Sequence, residues 1–223
     1  VEKKYDVDFI TSDYKEILNN KDIDMVFIAT RHNLHAQISM DAAKAGKHIL
    51  VEKPMAMNFD ELNQLSEAVR ESGVVFAVGH NRRYSKVISE TKKEITDFPL
   101  IMRYTVSIRH LASTHWTLDP IEGGGRLLGE SDHFFDLFNY FTGSKPVDVH
   151  AHCIGYEGQT TESQFNFMVQ IQYENKSIAN LLYTSRAHSS FPRERMEIFA
   201  NGKVIHINDF KNYEIISDRP NAK

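Results

Sequence analysis

Met25-Val26-Phe27-Ile28-Ala29 is a short, wholly apolar run, and two more of its kind follow: His48-Ile49-Leu50-Val51 and Val74-Val75-Phe76-Ala77-Val78. Runs this short and this continuously apolar suit strands buried on both faces, as in a parallel sheet. Between the first and second, residues 34–45 carry helical spacing, with Ile38, Ala42 and Ala45 on one stripe. Gly46 stands where a left-handed helix terminus belongs. Between the second and third, Asn58 caps a helix running through Glu71, with Leu62, Leu65 and Val69 inward and Gly73 at its end. Upstream, Ser12 and Asp13 precede a short helical stretch, with Glu16 three residues after Asp13 in a capping pattern. Strand and helix alternating in short units means βαβ packing and one parallel sheet. Such crossovers are right-handed, so the sheet is expected to have helices covering its faces.

Beyond residue 98 the period changes from helical to two. Leu100, Met102, Tyr104, Val106 and Ile108 alternate with Ile101, Arg103, Thr105, Ser107 and Arg109. Val147, Val149, Ala151 and Cys153 do the same against Asp148, His150 and His152, and Phe165 to Tyr173 does so most cleanly. These are strands with one apolar and one polar face, the signature of an antiparallel sheet. Asn201-Gly202 between two further runs is a hairpin signal. One helix interrupts the strands near 130–141, closed by Gly143. The expected fold class is α/β: an incomplete Rossmann-like parallel-sheet domain over residues 1–98, followed over 99–223 by an α+β domain with a large, mostly antiparallel open sheet. The boundary falls at Asp97-Phe98-Pro99, where proline stops a helix.

Composition narrows the function classes. Lys and Arg number 26 against 30 Asp and Glu, a formal net charge of −4, so there is no basic excess to drive nucleic-acid binding and none is expected. No apolar run approaches the roughly 20 residues that span a bilayer. A single cysteine, Cys153, leaves no internal disulfide and no multi-cysteine metal site, and a reducing, cytoplasmic setting is expected.

Ligands of open α/β sheets bind beyond the carboxyl ends of the strands. The first strand is followed by Thr30-Arg31-His32-Asn33-Leu34-His35, the second by Glu52-Lys53-Pro54 and the third by Gly79-His80-Asn81-Arg82-Arg83-Tyr84. Polar, mostly ionisable clusters therefore stand at three successive strand ends. His32, His35 and His110 invite a metal reading, but no second cluster has ligand spacing, and no metal is expected. Gly123-Gly124-Gly125 lacks the preceding buried strand of a phosphate loop.

Ala29-Thr30 with Asn33-Leu34-His35, then Ala45-Gly46-Lys47-His48, then Val51-Glu52-Lys53-Pro54, resembles the run that defines the Gfo/Idh/MocA family of NAD(P)-dependent sugar and polyol oxidoreductases. Gly79 to Tyr84 is similar to that family's next block. Gly123-Gly124-Gly125-Arg126-Leu127 followed by His133 and Asp136 is similar to its glycine-rich lead into a catalytic helix. His115-Trp116, Asp119-Pro120, Gly129-Glu130, and the run from Pro192-Arg193-Glu194-Arg195 to Asp209-Phe210 most resemble the Gfo/Idh/MocA half of bidomain oxidoreductases.

The resemblance implies NAD or NADP as cofactor and a sugar, nucleotide-sugar or cyclic polyol as substrate. It implies Lys53 as the proton-handling group, since hydride removal from an alcohol requires its hydroxyl proton to leave too. A lysine beside the positively charged nicotinamide has a lowered pKa and acts near neutral pH. Thr30, Asn33, His35, Glu52 and Pro54 are implied at the cofactor, Pro54 fixing its turn through a cis peptide bond. Asn81 and Arg82 are implied at cofactor or substrate, and His133 as a second acid/base or substrate-orienting group. Taken alone, Glu52-Lys53-Pro54 also suits a solvated turn, His133 among Phe134, Phe135, Leu137 and Phe138 a core histidine, and Arg82 and Arg83 surface charges. Trp116 is either core packing or a sugar-stacking wall.

Two departures stand against the family pattern. No G-x-G-x-x-G occurs, so the chain is expected to begin about 30 to 45 residues after the start of the first βαβ unit and to lack the family's closing helix. That same missing stretch holds the residue that selects NAD or NADP. In the family's G-G-x-L-x-D-x-G-x-H, alignment on His133 puts Gly129 at the aspartate and Ser131 at the glycine, and Glu130 beside them is expected to take the acidic role near substrate. His80 also stands where an aromatic is usual. The open sheet face is expected to pair with a second copy in a dimer or tetramer. The alternatives are a non-enzymatic dinucleotide or sugar sensor of the same fold, and an inactive fragment acting through its sheet face.

Overall fold

The computed structural model describes residues 7–96, 98–155 and 160–217, so Asp97 of the expected boundary lies outside the described residues. The chain divides into two compact units, Val1–Gly79 with Ile121–Gly124, and His80–Pro120 with Gly125–Lys223.

The first unit comprises α1 (Tyr14–Asn19), β1 (Met25–Ile28), α2 (His32–Lys44), β2 (His48–Val51), α3 (Phe59–Ser72) and β3 (Phe76–Val78). The strands form a parallel sheet in the order β1-β2-β3. Local chemistry sets the helix ends. Asp13 caps α1 by accepting from the Lys15 amide. Asn58 caps α3 by accepting from the Glu61 amide, while Glu61 reaches back to the Met57 amide and the Asn58 side chain. A reciprocal cap of this kind is worth about 1 kcal/mol. Gly73 ends α3 at φ +67, a left-handed conformation that a side chain resists.

Leu18, Ile28, Ala42, Ala43, Ile49 and Val51 form the core of this unit, with Val26, Val69, Phe76 and Val78 packed against it. These residues alternate along the strands, so the core lies on one face of the sheet. The expectation of strands buried on both faces is corrected here: Met25, Phe27 and Val75 are 60%, 59% and 66% exposed. The reason is handedness. Two successive right-handed crossovers, through α2 and then α3, place both helices on the same face. The α2 stripe is also shifted. Ser39, Met40, Ala42 and Ala43 are buried, whereas Ala45 caps the helix and is exposed.

The second unit holds α4 (Lys86–Glu94), β4 (Ile101–Ser107), α5 (Gly125–Glu130), α6 (Asp132–Thr142), β5 (Pro146–Cys153), α7 (Thr160–Phe165), β6 (Asn166–Tyr173), β7 (Ile178–Thr184), β8 (Glu194–Ala200), β9 (Lys203–Asn208) and β10 (Asn212–Ser217). Its seven strands run β10-β9-β8-β4-β7-β6-β5, with β4 and β7 parallel and every other pair antiparallel. Asn201-Gly202 makes the β8–β9 turn, both residues at positive φ, and Gly143 closes α6 at φ +59. α6 lies over one face, where Phe134, Leu137, Phe138 and Phe141 meet Met102, Tyr104, Ile171, Tyr173, Leu181 and Ile198. Ile88 and Ile95 of the α4 region belong to this same core.

The opposite face is open. Ile178, Ile101, Phe199, Val204 and Ile216 are cross-strand neighbours in one row over β7, β4, β8, β9 and β10. β5, expected to bury its apolar face, is exposed along its whole length. It is one of the two edge strands, paired on one side only, and the helical layer does not reach over it.

Candidate functional site

In the first unit the three strand ends converge through main-chain bonds. The Glu52 amide donates to Ile28 O at 2.8 Å, and the Gly79 amide to Val51 O at 2.8 Å. A Cβ at Gly79 would come to 3.0 Å from Glu52 Oε2, so the glutamate side chain lies close against this glycine. The Lys53-Pro54 peptide is cis. His35, 1% exposed in the first turn of α2, sets Nδ1 2.8 Å from Pro54 O and Nε2 3.1 Å from Thr30 O. One ring therefore joins the loop after β1 to the loop after β2. Lys53 and Glu52 are half-buried beside it, and Thr30 is exposed.

The start of α2 is held from the other side by residues 121–124. His32 Nδ1 donates to Gly123 O at 2.8 Å, the Asn33 amide donates to Glu122 O at 3.3 Å, and Arg31 pairs with Glu122. His32 and His35 thus each face main-chain carbonyls. Asn33 Oδ1 is buried without a hydrogen-bond partner. A buried amide oxygen left so costs about 1–3 kcal/mol, which a ligand N–H or O–H donor relieves.

In the second unit the third block opens with His80 and a short 3-10 helix, Asn81–Tyr84, whose Asn81 is exposed. His80 lies 3.3 Å from Asp136 Oδ1 and 3.5 Å from Asp132 Oδ2. Arg83 binds Asp136 through two nitrogens, and these hydrogen bonds raise the Arg83 pKa. His133 is buried in the first turn of α6, its ring centroid 6.0 Å from that of His80. Its amide donates to Asp132 Oδ1 at 2.8 Å. Sequence reasoning named His133 but assigned no role to His80, Asp132 or Asp136. The available signal was the i,i+4 spacing of the two aspartates, which puts both on one helix face.

Arg82 and Glu130 are each engaged in a partly buried carboxylate–arginine–tyrosine group. Arg82 donates through Nε (3.0 Å) and Nη2 (2.8 Å) to Glu194, which also accepts from Tyr104 Oη at 2.5 Å. Burial opposes the Arg82 charge, but Glu194 outweighs it and raises the pKa. Burial and the Glu194 charge push the Tyr104 phenol well above its usual range. Glu130 accepts from Arg126 and Tyr183, and burial followed by the Glu130 charge raises the Tyr183 phenol. Arg193 stands between the two groups, 3.5 Å from Glu130 and 3.9 Å from Glu194. Most of the donor capacity of Arg82 is therefore used inside the fold. Trp116 is half-buried outside the main core, at 6.2 Å from the His115 ring and stacked on it.

Residues 1–80 match the family model "Oxidoreductase family, NAD-binding Rossmann fold", residues 99–205 match "GFO/IDH/MocA C-terminal domain", and the chain belongs to the Gfo/Idh/MocA family. The chain is 33% identical over 148 residues to the uncharacterized oxidoreductase YrbE of Bacillus subtilis (strain 168), covering 66% of this chain and 43% of that protein. It is 25% identical to the myo-inositol 2-dehydrogenase of Thermotoga maritima, over 68% of this chain and 46% of that one. A solved levoglucosan dehydrogenase in complex with NADH and levoglucosan superposes with a TM-score of 0.81 at 25% identity, covering 95% of this chain and 62% of that one. The chain thus spans less than half the length of the relatives it matches in sequence. Among the described residues, no helix is long and apolar enough to cross a membrane.

Proposed function

We propose that this chain carries the catalytic lysine and the substrate-side unit of an NAD(P)-dependent oxidoreductase acting on a ring hydroxyl or ketone of a sugar, nucleotide-sugar or cyclic polyol. The observation that carries this reading is the His35-clamped Glu52-Lys53-Pro54 turn at the end of the middle parallel strand. The roles divide at the expected boundary, residues 1–98 serving the cofactor and 99–223 the substrate. Asn33 Oδ1, buried and unpaired at the same strand ends, fits a cofactor presenting an amide or hydroxyl donor. Thr30, Asn33, His35, Glu52, Lys53 and Pro54 would hold the nicotinamide end. The sequence contains no G-x-G-x-x-G, so no residues are assigned to the pyrophosphate.

When bound, the nicotinamide supplies the hydride acceptor or donor. Lys53 takes the hydroxyl proton as the alcohol is oxidised and returns it in the reverse direction. His35 fixes the turn so that Lys53 is placed before substrate arrives. His133, set beside His80 and Asp132, orients the substrate or relays its proton. The open row through Ile101 and Phe199 pairs with a second copy of the chain.

The test is fluorescence titration with NADH and NADPH, followed by a sugar and polyol screen at the nicotinamide absorbance band. Lys53→Met should abolish turnover while cofactor binding, held by the other strand-end residues, is still measurable. Unchanged turnover would remove Lys53 from the mechanism. Failure of both cofactors to bind, by this chain and by one extended upstream alike, would move the sugar-sensor or fragment reading ahead of the enzyme.

A further inference from the structure

A cleft of about 850 Å³ opens in the second unit between the end of β4, the β7–β8 connection, α5 and the β9–β10 turn. Its charged lining is Arg109, Arg126 and Arg193 against Asp209 alone, with His110 and His188 beside them. The charges behind the wall reduce this excess without removing it, because Glu130 offsets Arg126 and leaves Arg109 and Arg193 against Asp209. Glu130 is held by Arg126 and shared with Arg193, and Glu194 is held by Arg82. Asp209 accepts from the Glu194 amide and lies 3.7 Å from Lys211. Arg109 is exposed and pairs with no carboxylate among the described residues. The hydroxyls of Ser185 and Ser190 are oriented by His110 and His188, each at 2.8 Å. The volume lies in the range of small-molecule sites, and guanidinium groups and serine hydroxyls line the same space.

We infer that this cleft is a binding site for an oxyanion-bearing sugar, a carboxylate or phosphate ester, with Arg109 and Arg193 meeting the anion and the serine hydroxyls meeting ring hydroxyls. The inference rests on the oxidoreductase reading for its substrate class. A neutral polyol leaves Arg109 without a use, whereas an oxyanion gives it a charge-assisted partner inside a walled cleft.

The test is isothermal titration calorimetry of the full chain with D-glucuronate, D-glucose 6-phosphate and D-glucose at fixed ionic strength. At least one anionic sugar should bind about tenfold more tightly than glucose, the value of one charge-assisted hydrogen bond. Which anion prevails distinguishes a carboxylate from a phosphate site. Arg109→Ala and Arg193→Ala, both exposed side chains whose loss leaves the core intact, should each bring the ratio to glucose toward one, with circular dichroism unchanged. Equal binding of all three sugars, absence of binding, or an unaltered ratio in both variants would overturn the assignment. NADH titration, on this chain and on one extended upstream, is scored separately. Anion binding without NADH binding sinks the oxidoreductase reading and leaves the cleft standing, and NADH binding with no preference among sugars does the reverse.

Discussion

Removing Arg82 tests whether the carboxylate–arginine–tyrosine group holds the second unit together. In Arg82→Met the aliphatic stem is largely kept, so the change isolates the charge. Glu194, whose side chain is 9% exposed, loses both guanidinium hydrogen bonds and keeps only Tyr104 Oη and the distant Arg193. An uncompensated buried charge of this kind costs about 3–5 kcal/mol. In a unit of this size that corresponds to a fall in Tm of about 6–20 °C. Urea and thermal unfolding followed by the fluorescence of Trp116, the only tryptophan and a member of the second unit, report the change. The double variant Arg82→Met/Glu194→Leu removes both charges and should recover more than half of the loss, because apolar replacement of a buried ion pair is often close to neutral. Arg103→Ala is the control, since its guanidinium is 63% exposed and Glu197 retains Arg195 and His206. Its cost should stay below about 1 kcal/mol. A loss under about 1 kcal/mol in Arg82→Met, or a double variant no better than the single, would refute the assignment of the group as a structural anchor.

Three other outcomes follow from the geometry. Tyr104, Tyr173 and Tyr183 keep their protons in the fold above pH 10, because burial raises all three, whereas the unfolded chain loses them near 10. The unfolded state then binds fewer protons, so stability falls as pH rises past 10, by up to about 1.4 kcal/mol per pH unit for each tyrosine. Tyr104→Phe should make that decline shallower in urea unfolding measured between pH 9 and 11, and an unchanged slope would count against the linkage. His35→Ala deletes the clamp between the loops after β1 and β2, and kcat should fall about tenfold or more with a smaller change in KM. Rescue of kcat by His35→Asn, which restores one donor, separates positioning from a general loss of fold. Gly125→Ala places a Cβ 2.7 Å from Gln164 Oε1 at a φ of +87, and should lower stability by about 1–3 kcal/mol in chemical denaturation.

The sequence carries the strands and helix ends because their causes are local. Asn58 with Glu61, Gly73 and Gly143 announce themselves within a turn of the helix they cap. The period-two runs from Leu100 onward mark an apolar face whatever covers it. What covers a face is not local. Met25 and Phe27 have the composition of a strand buried twice over, yet handedness sends α2 and α3 to one side. β5 has the alternation of a half-buried strand, but its place at the sheet edge leaves it uncovered. The site divides in the same way. Glu52-Lys53-Pro54 was visible from its place after a strand, and His133 from its family block. The partner of Arg82 was not, since Glu194 lies 112 residues along the chain and nothing in either neighbourhood ties them.

Because His35 grips both Thr30 and Pro54 through main-chain oxygens, it does so regardless of which side chains those loops carry. The ring constrains backbone paths and leaves loop composition free. Sequence drift at Met55 or other side chains of these loops can therefore change the surface they present without loosening the main-chain path on either side of Lys53. A chain built this way separates the part of its chemistry that has to stay fixed from the part that is open to change.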